Sequence, residues 1–185
     1  MDDKKSLWSE AGLAGLALGA VSLAYMTYSF LASGDGSTQP NGFQSVFGTI
    51  LWAVKLFVCL WLLKRFMKAY STNNPDAGNS DVFRFGMATA ALSALIYSGG
   101  YLAWTTLVNP DYFSNIVETF IDSADSMGSL VTEDMLDNLE AMVPQFPTTT
   151  FFVNLAWCFM FGTVFSAIFS RNIPSSNPFD GLDEQ

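Results

Sequence analysis

Apolar residues along this chain gather in four long runs, at about 7–31, 46–66, 85–107 and 151–169. Crossing a bilayer takes roughly 20 mostly apolar residues in a helix, and each run supplies that length. The pattern predicts an all-α fold: a polytopic membrane protein with four transmembrane helices, forming a single membrane domain over 1–185. The first run is too long for a secretory signal peptide, and Asp2 and Asp3 dilute its basic start. It is expected to be an uncleaved anchor.

The segments between the runs are not alike. Ala32–Phe43 is rich in Gly, Ser, Asn and Pro without an apolar period, which predicts a plain connector. Ser71–Val82 has the same character, with Asn74-Pro75 and Gly78-Asn79 as breakers. The end, 174–185, is polar, contains two prolines and is expected to be a flexible cytoplasmic tail. The segment 111–145 instead carries a helical period. Tyr112, Phe113, Ile116, Val117, Phe120 and Ile121 share one face, and Glu118, Asp122 and Asp125 the other. Gly128 interrupts the pattern. Thr132 then reads as an N-cap ahead of Glu133 and Asp134, and Met135, Leu136, Leu139, Met142 and Val143 continue an apolar stripe that Pro144 and Pro147 end. This predicts an extracytoplasmic amphipathic helical hairpin between the third and fourth spans. A lid over the bundle is the expected role, with the lipid surface or a partner protein as alternative cover. Without Lys or Arg on its polar face the insert is a poor binder of anionic lipid.

Charge gives the runs a direction. Seven of the eight basic residues flank the runs at alternating ends: Lys4 and Lys5 before the first, Lys64, Arg65 and Lys68 after the second, Arg84 before the third, and Arg171 after the fourth. Cytoplasmic flanks collect Lys and Arg. Both termini are therefore expected in the cytoplasm, and the connector 32–43 and the insert 111–145 outside. A net charge of −9 leaves no basic face for nucleic acid. Histidine is absent, which removes the commonest metal ligand and the usual general base near neutral pH. No nucleophile elbow, phosphate loop or metal-ligand cluster appears, so neither catalysis nor a cofactor is expected. Glu133, Asp134, Asp137 and Glu140 match no calcium-loop spacing. Cys59 and Cys158 fall inside runs and read as small packing residues.

Two features bear on helix association. Helices in lipid meet closely where small residues let backbones approach, and three runs carry such residues at four-residue spacing. These are Ala11, Gly15 and Gly19 in the first, Gly86, Ala90, Ala94 and Ser98 in the third, and Asn154, Cys158, Gly162 and Ser166 in the fourth. The second run is bulky, with Phe47, Trp52, Phe57 and Trp61, so helices one, three and four are expected to pack closely and helix two to be peripheral. Trp8, Trp61 and Tyr70 are expected at the inner interface, and Tyr25, Tyr28, Tyr101 and Trp104 towards the outer one.

Lys55 is the second feature. It lies nine positions from Val46 and nine from Lys64, or ~13 Å from either edge at ~1.5 Å per residue, near the bilayer midplane. A charge there costs at least ~2.5–3.5 kcal/mol and should find a partner. Glu10 is the one acidic residue within a run, and Asn154 is the alternative neighbour, since helical side chains lean towards the helix N-terminus. Lys55, Glu10 and Asn154 form the candidate intramembrane polar site.

The glycine-rich first run, the phrase Asp81-Val82-Phe83-Arg84-Phe85-Gly86-Met87-Ala88, the acidic helical insert and the closing Phe165-Ser166-Ala167-Ile168-Phe169-Ser170-Arg171-Asn172 resemble the membrane family catalogued as domain of unknown function 4199, found mainly in Bacteroidetes. The resemblance implies a bacterial inner-membrane setting and no site residues. The function expected is non-catalytic: an accessory or scaffold subunit in envelope biology. The bilayer is its environment, and a membrane-protein partner or a homo-oligomer is its expected association. The alternative is a small transporter or channel with Lys55 at its polar site.

Overall fold

A computed structural model describes residues 2–33, 42–126, 138–139 and 141–173. Every regular element among them is helical. Helix α1 runs Asp2–Ser33, α2 Gly42–Asn73, α3 Asn79–Ala103, α4 Tyr112–Ser126 and α5 Phe146–Asn172. A π-helical turn, Trp104–Val108, extends α3, and a 3-10 turn, Val143–Gln145, leads into α5. Four of these helices (α1, α2, α3 with its extension, and α5) are long and apolar enough to cross a membrane.

The helices overrun the apolar runs at their polar ends. An apolar run marks what crosses hydrocarbon, whereas a helix continues until a breaker stops it. The expected connector Ser71–Val82 is therefore mostly helix. Asn74 and Pro75 end α2, with the Asn74 side chain donating to the Tyr70 carbonyl oxygen at 3.0 Å. Gly78 in an extended conformation opens α3 at Asn79. Ser71 and Val82 are buried, because the adjoining ends of α2 and α3 pack on one another through stacked Tyr70 and Phe85 rings, 4.4 Å between centroids. Tyr70 is thus a core residue, not an interfacial one. Trp8 and Trp61 do stay exposed near the same end.

Helix α3 is central, packed along α1 on one side and α5 on the other. Pairings across these seams fix direction. Gly15 faces Leu92, Gly19 faces Ile96, and Leu23 faces Gly100, so α1 and α3 run parallel with a common step of four residues. Gly86 faces Ser166 and Ala90 faces Gly162, so α3 and α5 run antiparallel. With Tyr70 beside Phe85, this up-down-up-down order gathers the flanks bearing Lys4, Lys64, Lys68, Arg84 and Arg171 at one end of the bundle. We refer to it as the basic end.

The glycines are there for close approach. A Cβ on Gly15 would sit 2.7 Å from the Leu92 Cβ and 3.3 Å from the Thr89 carbonyl oxygen. On Gly19 it would meet Ile96 at 2.7 Å, and on Gly86 the Ser166 Oγ at 2.6 Å; on Gly162 it would collide with the Ala90 Cβ. Ala94 is buried on the same helix, 1 % exposed. Helix α2 is peripheral: its buried apolar residues, Leu63, Met67 and Tyr70, all lie in its half nearer the basic end.

At the far end, Phe30 of α1 holds the other elements together. Its ring stacks on Trp104 at 5.2 Å, meets Tyr101 at 5.5 Å, and takes Tyr112 of α4 edge-on at 5.1 Å. Phe113 contacts Phe146 at 5.8 Å, tying α4 to the start of α5. The apolar face expected on α4 is divided by this docking. Val117 is buried and Ile121 half-buried, while Ile116 and Phe120 stay exposed. The first arm of the expected hairpin is described, and of the second only 138–139 and 141–142, which are helical. The Thr132 cap, Met135, Leu136 and the acidic residues Glu133, Asp134, Asp137 and Glu140 lie outside the described residues, as do 34–41 and the tail 174–185. Residues 141–142 are helical and give way to the 3-10 turn that holds Pro144, as the prolines predict. Pro144 and Pro147 occupy the 3-10 turn and the first turn of α5, where a missing N–H leaves no helical bond unmade.

Candidate functional site

Helix α2 carries Lys55 into an otherwise apolar stretch, Leu51–Leu63. Because α2 runs towards the basic end, a side chain leaning towards the helix N-terminus leans towards the far end. The amine follows that direction and lies over two rings, 4.8 Å from the centroid of Tyr97 on α3 and 5.5 Å from that of Tyr25 on α1. The negative ring faces attract the cation within ~6 Å, for ~0.5–2 kcal/mol each. Together they offset much of the insertion cost without a carboxylate.

The structure does not bring Glu10 to Lys55. Lys55 sits level with Ser22 and Tyr25 on α1, and Glu10 lies twelve residues before Ser22, ~18 Å away along the helix at ~1.5 Å per residue. The lysine stem leads away from it. Asn154 lies one turn before Cys158 on α5 and is half-buried; Cys158 lines the same cavity as Lys55, and Asn154 does not. The neighbours that matter are Tyr97 and Tyr25. A tyrosine eleven residues inside the end of its helical segment, as Tyr97 is, was the sequence signal for this arrangement. Tyr25, expected in an interfacial belt, faces Lys55 because α1 and α3 are held close by Gly15 and Gly19.

Lys55 lines a cavity of about 120 Å³ among all four spanning helices. Its polar wall is Ser22, Lys55, Cys59, Ser93, Tyr97 and Cys158, and the remainder is Leu, Ala, Gly and Phe. The cavity follows from the packing. Ala90 and Gly162 draw α5 onto α3, and the glycines of α1 draw it onto the same helix. The bulky α2 cannot then fill the trough between α1 and α5. Cys59 and Cys158, read from the sequence as packing residues, both face this space. Cys59 Sγ also lies 3.9 Å from Ser22 Oγ. No Asp or Glu lines the cavity.

The helix-packing residues Gly15, Gly19, Gly86, Ala90, Ala94 and Gly162 lie on two seams of α3. Ala90, Ala94 and Gly162 also form part of the cavity wall. Ser166, fully buried, donates to the Gly162 carbonyl oxygen at 2.7 Å, so its hydroxyl is satisfied within α5. Thr89, Ser98 and Thr163 bury hydroxyls that have no hydrogen-bond partner.

The family of proteins of unknown function DUF4199 matches residues 13–171. No curated protein and no solved structure matches the chain.

Proposed function

We propose that this chain, which belongs to the DUF4199 family and has four membrane-crossing helices, is a non-catalytic accessory or scaffold subunit of a bacterial inner membrane that works through the outer faces of α2 and α5. The observation that carries the reading is an imbalance of burial. The most apolar windows of α1 and α3 are 39 % buried within the chain, those of α2 and α5 only 6 %. Large side chains cover the exposed faces, among them Val54 and Phe57 on α2 and Trp157 and Val164 on α5. Aromatic anchors of this kind dominate protein contacts. A second membrane protein, or a second copy of this chain, is the partner this surface fits.

Photo-crosslinking in native membranes tests this. A photoreactive residue at Val54 or Trp157 should give a protein adduct of one defined mass, and the same probe at exposed Leu13 of α1 should give none. Lipid adducts alone from all three positions would end the reading. The transporter alternative draws its support from Lys55 and the Ser22, Cys59, Ser93, Tyr97 and Cys158 side chains of the same cavity.

A further inference from the structure

We propose that the cavity at Lys55 is a binding site for the head group of a single-chain lipophilic carboxylic acid whose tail lies in the bilayer. The inference is independent of the scaffold reading, since it concerns the inside of the bundle and not its outer face.

The cavity is lined by a cation and by no acidic residue. The contacts of Lys55 are two ring faces, which attract the charge but do not neutralise it. An ammonium has three N–H donors, and two rings leave the amine able to donate towards the open space. Ser22 and Ser93 add hydroxyls to the wall. The group this arrangement recognises is a small anion or a strong oxygen acceptor on an apolar body.

Size and depth narrow the class. A volume of about 120 Å³ is a little below the ~150 Å³ cavity known to take a benzene ring. It admits a head group and the start of a chain, not a phospholipid. Lys55 is ~13 Å from either edge of its apolar run. A phosphate or sulfonate would have to reach that depth charged, at a cost of many kcal/mol. A carboxylic acid reaches it neutral, and its carbonyl oxygen then accepts a charge-assisted hydrogen bond from the ammonium with no proton transferred. Between Val46 and Leu62 no residue of α2 is buried, so the acid enters past this helix.

The experiment uses the full chain in phosphatidylcholine nanodiscs with a hexadecanoic acid carrying a diazirine near its carboxyl end, compared with the matching alcohol. Labelled peptides are read by mass spectrometry. The acid should label segments 56–63 and 158–165 about tenfold more than the alcohol, a difference of ~1.4 kcal/mol in binding. Lys55→Met should abolish the difference, and Lys55→Arg, which keeps the charge, should retain labelling by the acid. Equal labelling by acid and alcohol, or acid labelling that survives Lys55→Met, overturns the proposal. If Lys55→Met does not elute as wild type, Lys55→Gln takes its place with the same criterion.

Discussion

The amine of Lys55 on α2 lies 4.8 Å from the centre of the Tyr97 ring on α3, so a mid-membrane charge is met by a π face where a carboxylate was expected. The contact links the peripheral helix to the central one. It sets a first prediction. Tyr97→Phe keeps the ring face and should retain stability, while Tyr97→Leu should lower it. In a double-mutant cycle the Lys55→Met/Tyr97→Leu pair should show a coupling of ~0.5–2 kcal/mol. Zero coupling in thermal unfolding would mean that the rings only pack beside the lysine.

The glycines divide into two kinds. Gly15 and Gly162 have Cβ atoms of another helix where their own would be, whereas Gly12 and Gly99 meet nothing within 4 Å. Gly15→Ala and Gly162→Ala should each destabilise the bundle by ~1–3 kcal/mol, the usual cost of overpacking. Gly12→Ala and Gly99→Ala should be neutral or stabilise by up to ~1 kcal/mol through helix propensity. Melting in detergent gives the order, and a stabilised Gly15→Ala would show that the α1–α3 seam is looser than described.

Buried hydroxyls are also unequal. Ser98 is fully buried without a partner, while Ser166 donates at 2.7 Å to Gly162. Ser98→Ala removes an unpaired polar group and should be neutral or stabilising. Ser166→Ala should cost ~0.5–1.5 kcal/mol. If Ser98→Ala is the worse of the two in thermal denaturation, Ser98 has a partner in the membrane.

Phe30 is the joint between α1, the α3 extension and α4. Phe30 is buried and makes three ring pairs worth ~0.5–1.5 kcal/mol each, so Phe30→Ala should lose on the order of 3–5 kcal/mol. The loss should be local. Hydrogen exchange should speed up in Tyr112–Ser126 while Phe85–Ala94 stays protected; uniform acceleration would show that α4 is not separately docked.

The distribution of charge predicts an orientation. With Cys59 and Cys158 replaced by Ala, a cysteine at Ser126 should react with an impermeant reagent on intact cells and one at Ser176 should not. The reverse pattern would turn the molecule over.

Some of this structure is set by local sequence. Crossing a bilayer is a local requirement, met by length and apolarity in one segment, so the four spans were legible in the runs at 7–31, 46–66, 85–107 and 151–169. The tight seams were legible too, because small residues at Gly15, Gly19, Gly86 and Gly162 repeat at the helical period, and the bulky second run marked α2 as peripheral. Spacing within one helix does not say which helix it meets. Only the tertiary structure put α3 at the centre, with α1 on one face and α5 on another. The partner of Lys55 depended on the same information. Charge alone points to Glu10, but a contact needs equal depth, and depth across helices is fixed by the way Leu92, Ile96 and Leu23 seat against glycines of the facing helix. That register places Tyr25 and Tyr97 beside the amine and opens the cavity among the four spanning helices, because two close seams on α3 leave a trough that the larger side chains of α2 cannot enter.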